Sequence, residues 1–230
     1  MRSNRSVLNI SLLSTTIVIL LAAGLHAQAQ TASQPNRWEP NIQRFEERDR
    51  QTPPPTGAIL FLGSSSIVGW DLERCFPDRR AINRGFGGSQ IVDSLHFTDR
   101  IVLPYRPKTI VFYAGDNDIA SGKSPKQVLA DYKQFVEKVH EGLPKTRIIF
   151  VAIKPSISRW NLVDKIREAN AKIRIVAEKD PRLIYLDIDK PMLGKDGKPR
   201  PEIFKDDGLH LNDEGYKLWS DLLRPHLTAP

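Results

Sequence analysis

The sequence has one cysteine, Cys75, so no internal disulfide can form and stability has to come from a packed core. Cys75 itself reads as a small buried apolar residue. No linker divides residues 30–230 into domains, the Pro53-Pro54-Pro55 spacer only following the N-terminal extension, which argues against a chain of small domains. Concentrated positive charge is missing too. The formal charge of +7 falls to +5 without Arg2 and Arg5, and the remaining Lys and Arg alternate with acids, a solvated surface rather than a nucleic-acid-binding face. No His or Cys cluster has zinc spacing, and Asp116-Asn117-Asp118 lacks the spaced acids and closing Glu of an EF-hand. Nucleotide motifs are incomplete. Residues 85–90, GFGGSQ, do not fit G-x-G-x-x-G, and Gly122-Lys123-Ser124 ends like a P-loop whose first glycine is replaced by Asn117. No cofactor is therefore expected, and nucleotide binding at 85–88 stays a minor reading that thermal stabilisation by nucleotides would reveal.

What is present begins with an export signal. Arg2 and Arg5 precede an uncharged run, residues 6–27, followed by Ala27-Gln28-Ala29, the order of a secretory signal peptide cleaved after Ala29. An uncleaved anchor is the alternative, since the run is just long enough to span a bilayer. The organisation expected is a signal at 1–29, an N-terminal extension at 30–56 carrying a helix over 38–50, and one domain at 57–230. The mature protein is expected to be periplasmic or secreted, without stable membrane insertion and without nucleic acid.

Residues 58–62, AILFL, read as a strand buried on both faces that stops at Gly63 and delivers Ser64, Ser65 and Ser66. Further apolar runs at 109–114, 147–153 and 183–188, and a short strand at 80–83, alternate with helical spacings. These are a helix through Cys75, one over 90–102, one opened by the capping box Ser124-Pro125-Lys126-Gln127, one capped by Asn161 and one opened by Asn212. Residues 192–204 read as a loop or small hairpin turning at Asp196-Gly197. Continuous apolar strands alternating with helices call for a five-stranded parallel sheet in a three-layer α/β/α sandwich.

In such sheets ligands bind at the carboxyl ends of the strands. Three polar clusters follow strand ends: Ser64-Ser65-Ser66, Gly87-Gly88 and Asp116-Asn117-Asp118; Asp206 to His210 lies in the connection after the last strand. Ester hydrolysis by a serine needs a base, a group that orients the base and donors for the oxyanion. His210, three residues after Asp207 in DDGLHLN, is the candidate base; a structural turn capped by Asp is the alternative there. Gly87-Gly88 offers unobstructed backbone N–H groups, or only a tight turn. Asn117 has an amide to donate, or to satisfy its own turn. A glycosidase pair of carboxylates at this edge also stays open.

Together the clusters resemble the sequence blocks of the SGNH hydrolases, or GDSL-type esterases, in order and spacing from Ile59 to about Leu227. Gly63-Ser64-Ser65 falls on Gly-Asp-Ser, Asn83 to Gly88 on the second block, Gly115 to Asp118 on G-x-N-D, and Asp207 to His210 on D-x-x-H. The resemblance implies the flavodoxin-like SGNH fold, Ser65 as nucleophile, Asp207 and His210 as its partners, and an oxyanion hole from the N–H groups of Ser65 and Gly88 and the amide of Asn117. Ser64 departs from the pattern, standing where the family usually has Asp. The function implied is a secreted serine esterase cleaving short-chain esters, with O-acetyl groups of a glycan the favoured substrate. Lysophospholipid or thioester hydrolysis, or a non-catalytic glycan-binding module on the same fold, are the alternatives. Trp160 and residues 192–204 are candidates for the leaving-group side, packing and turn structure being the plainer account of both.

Overall fold

The computed structural model describes residues 35–227; the expected signal segment, 1–29, lies outside the described residues. Strands β1 (Ile59–Gly63), β2 (Ala81–Gly85), β3 (Thr109–Tyr113), β4 (Arg147–Val151) and β5 (Leu183–Leu186) form one parallel sheet in the order β2-β1-β3-β4-β5. Alternate residues face opposite sides. Leu60, Leu62, Ile110, Phe112, Ile148 and Phe150 join one buried cluster, and Phe61, Val111, Tyr113, Ile149 and Val151 join the other. Both faces are therefore covered, which is why the strands read as unbroken apolar runs. The α/β/α sandwich expected from the alternation is the fold observed.

The helices are α1 (Glu39–Gln51), α2 (Ser65–Val68), α3 (Leu72–Cys75), α4 (Ile91–His96), α5 (Thr98–Ile101), α6 (Asp116–Ala120), α7 (Pro125–Gly142), α8 (Val163–Ala177) and α9 (Asp213–Leu223). Helices α1, α7 and α8 cover the first face through Ile42 and Phe45, through Val128, Tyr132, Phe135 and Val139, and through Ile166, Ala169 and Ile173. Helix α9 covers the second with Tyr216, Trp219 and Leu223; Trp219 stacks edge-on against Trp70 with centroids 5.5 Å apart. Ser124 and Gln127 form the expected capping box of α7, and Asn212 accepts the Gly215 N–H at the start of α9.

Several expected elements are cut differently. The helix expected over 90–102 breaks at Phe97, where the Thr98 hydroxyl donates to the Ser94 carbonyl at 2.9 Å and bends the chain between α4 and α5. The helix through Cys75 is two short pieces, the second capped by Asp71, and Cys75 is only half-buried. Asn161 does not cap α8. A 3-10 turn, Trp160–Leu162, enters that helix and leaves no place for a side-chain cap. Residues 192–204 do form a small hairpin, with Leu193 bridged to Pro199 and the Gly194 N–H donating to the Lys198 carbonyl at 2.8 Å.

The strand order reverses between β1 and β3, and the crevice outside their carboxyl ends is the usual ligand position. Gly63 ends β1 at φ +136°, and a Cβ there would lie 1.8 Å from the Tyr113 carbonyl oxygen. Only glycine allows this approach, which lets the Ser64 N–H donate to the same carbonyl at 3.0 Å.

Candidate active site

The three serines after β1 have different surroundings. Ser64 is fully buried, and its Oγ has no hydrogen-bond partner among the described residues. A carboxylate would be costly in that place without a partner, so the serine suits its surroundings better than the family's Asp. Ser66 is also fully buried, and the Lys154 ammonium donates to its Oγ at 3.2 Å. Only Ser65, at the first position of α2, is half-exposed. Asn83 on β2 holds that helix by donating to the Ile67 carbonyl at 2.7 Å.

The Ser65 hydroxyl lies 3.0 Å from His210 Nε2, and His210 Nδ1 lies 2.6 Å from Asp207 Oδ2. The other Asp207 oxygen accepts the N–H groups of Leu209 and His210, each at 2.9 Å. The imidazole bond first, and then these two backbone donors, hold the Asp207 carboxyl well below the usual range, so it stays ionised. An ionised Asp207 keeps the proton on Nδ1 and leaves Nε2 free to accept from Ser65. The turn is compact, with Gly208 at φ +61° and the Lys205 N–H donating to the His210 carbonyl at 2.8 Å.

The Gly87-Gly88 turn lies beside Ser65: a Cβ added to Gly87 would sit 3.9 Å from the Ser65 Cβ. Gly88 has φ +75°, and its N–H has no partner among the described residues. Asn117, in the first turn of α6, donates one amide hydrogen to the Ser89 carbonyl at 2.9 Å and accepts from Arg159 Nη2 at 3.1 Å. These two bonds fix the amide plane. The structure thus brings Ser65, Gly88, Asn117, Asp207 and His210 to one edge of the sheet.

Beneath Asn117 lies a buried cluster that sequence reasoning missed. Asp116 pairs with Lys154 Nζ at 3.0 Å and Arg159 Nη1 at 3.2 Å, while its other oxygen accepts the Asn117 N–H at 2.9 Å. Burial pushes the Asp116 carboxyl up, but the two cations outweigh it and leave its pKa below the ordinary value. Burial pulls the Lys154 ammonium down, and its third partner is the Tyr113 hydroxyl at 2.9 Å. The available signal was Lys154 closing the apolar stretch IIFVAI at the carboxyl end of β4, a place where a cation faces the site edge rather than open water.

The remaining candidates take other partners. Lys123 of the P-loop-like tripeptide pairs with Asp118 and Asp131 at 2.9 and 2.7 Å, and Ser124 caps α7. Trp160 is half-exposed between the cations of Arg167 and Lys198, 5.6 and 5.5 Å from its ring centroid, so the two segments suggested for the leaving-group side meet there. Among the described residues no group of three or more His, Cys, Asp and Glu side chains could hold a metal ion.

This chain belongs to the GDSL-like lipase/acylhydrolase family, whose sequence profile matches residues 61–218. The human platelet-activating factor acetylhydrolase IB subunit alpha1 is 28% identical over 189 residues, 78% of each chain. Among solved structures, a GDSL-like lipase from Bacteroides thetaiotaomicron superposes with a TM-score of 0.71 at 21% identity, covering 81% of this chain and 96% of that one. A variant of an acetyl-xylooligosaccharide esterase from Geobacillus superposes with a TM-score of 0.60 at 15% identity, covering 76% and 97%.

Proposed function

We propose that the protein is an exported serine esterase that removes short acyl groups, with O-acetyl groups on carbohydrate the favoured substrates. The observation that carries this reading is the continuous relay from Ser65 Oγ through His210 to the ionised Asp207, beside a Gly88 N–H that has no partner among the described residues. His210 Nε2 takes the Ser65 proton as Oγ adds to the ester carbonyl. The resulting oxyanion lies among the N–H groups of Ser65 and Gly88 and the second amide hydrogen of Asn117. Protonated His210 then gives its proton to the leaving alcohol. Water, activated by the same imidazole, clears the acyl-enzyme in the second half.

The short-acyl preference is supported by the names of two relatives, one an acetylhydrolase and one an acetyl-xylooligosaccharide esterase. The signal-like segment at residues 1–29 supports export, and the substrate side would then face the cell envelope or medium. The test is p-nitrophenyl ester hydrolysis from acetate to palmitate by wild type, Ser65→Ala and His210→Ala. Cleavage of acetate or butyrate, lost in both variants, supports the reading. A folded wild type inactive on every chain length would instead favour a glycan-binding module.

A further inference from the structure

We propose that the N-terminal helix forms part of the oxyanion site, with Trp38 as the positioning residue for the Gly88 N–H; this rests on the esterase reading above. Two adjacent glycines make the least constrained of backbones, yet an oxyanion donor works only if it is already aimed when charge develops. Within the turn itself the hold is weak, a Ser89 N–H to Phe86 carbonyl contact of 3.4 Å. The stronger hold comes from outside. Trp38 Nε1–H donates to the Gly87 carbonyl at 2.9 Å, and Arg37 Nη2–H donates to the Gly88 carbonyl at 3.2 Å.

The Gly87 carbonyl and the Gly88 N–H are opposite ends of one trans peptide. Pulling the carbonyl toward Trp38 turns the N–H the other way, and withdrawing electron density through the amide makes that N–H a better donor. Trp38 is well placed to do this because it is itself fixed. The residue is 5% exposed, and its ring packs edge-on against Phe86 at 6.0 Å and lies under the Arg37 guanidinium at 3.7 Å. Helix α1 behind it is held in turn: Arg100 makes paired bonds of 2.7–2.9 Å to Glu39 and Glu46, Arg84 pairs with Asp49, and Ile42 and Phe45 enter the core. The helix that reads as an appended extension is thus a strut between the core and the turn that carries the donor.

The discriminating variant replaces Trp38 in the full chain by 3-benzothienylalanine, which puts sulfur in place of the indole N–H at nearly the same size. Trp38→Phe serves as the genetically encoded counterpart. The expected result is a fall in kcat of about three- to tenfold, the worth of one neutral hydrogen bond. KM should stay unchanged, the affinity for an alkylboronic acid that mimics the tetrahedral adduct should weaken in parallel, and the melting temperature should stay close to wild type. A kcat within twofold of wild type would overturn the proposal, as would a rise in KM alone. If Ser65→Ala is inactive while the Trp38 variants match wild type, the esterase reading stands and this one fails. A wild type without esterase activity removes both.

Discussion

Two parts of the active edge are built in contrasting ways. The relay of Ser65, His210 and Asp207 is half-exposed and rests on a four-residue turn, with the Asp207 side chain 49% exposed. The cluster behind Asn117 is dry. Lys154 and Asp116 are 1% and 4% exposed, and their partners come from α2, β3 and the segment after β4. In the mechanism proposed above, the groups that move protons stay near water, where they can change charge, whereas the groups that only have to stay still are locked by buried ions. Positioning and chemistry are thereby assigned to different dielectric environments.

The sharpest way to break this contrast is to perturb each side and ask which quantity moves. Asp207→Asn should lower kcat by roughly 10³ to 10⁴ through the wrong imidazole tautomer, while denaturant unfolding stays close to wild type. Lys154→Met should do the reverse in rank. Leaving Asp116 and Tyr113 without the ammonium is expected to cost about 3–5 kcal/mol in urea-melt stability, with activity falling only as far as Asn117 is displaced. If Asp207→Asn destabilises more than Lys154→Met, the division of labour is wrong.

Asp118 offers the finest test, being a buried carboxylate that ties the α6 loop to the start of α4 through the Ile91 N–H and Lys123. Burial, partly offset by Lys123, raises its pKa from 3.8 to about 6. Its contribution to stability is therefore fully present below 3.8 and is lost as pH rises through about 6. From pH 7 to pH 5 this site should add about 1 kcal/mol, or roughly 2–4 °C in melting temperature. Asp118→Asn should flatten that part of the profile; an unchanged slope would place the titration elsewhere.

The same contrast explains what the sequence revealed. Asp207 and His210 are three residues apart, and a turn of that length leaves few arrangements, so the pair was visible in the sequence. The three serines were visible because an apolar strand has little reason to end in them, and the resemblance of Gly63-Ser64-Ser65 to the Gly-Asp-Ser block singled out Ser65. Lys154 was hidden because its partners lie 38, 41 and 88 residues away, and a lysine closing a strand looks like one reaching for solvent. Trp38 was hidden for the same reason, its acceptor being 49 residues on. The strands and the α7 cap were legible from local pattern. The break at Phe97 was not, since one hydroxyl bonding backward decides it.

Gly63 has a wider consequence. Its missing Cβ lets the ends of β1 and β3 meet backbone to backbone, so the spacing between the serine that follows one strand and the asparagine that follows the other is set by the peptide ladder. Main-chain spacing does not depend on which apolar side chains fill the layers above and below. Apolar side chains in those layers can then change in size without shifting the strand ends that carry Ser65 and Asn117, as long as position 63 stays glycine.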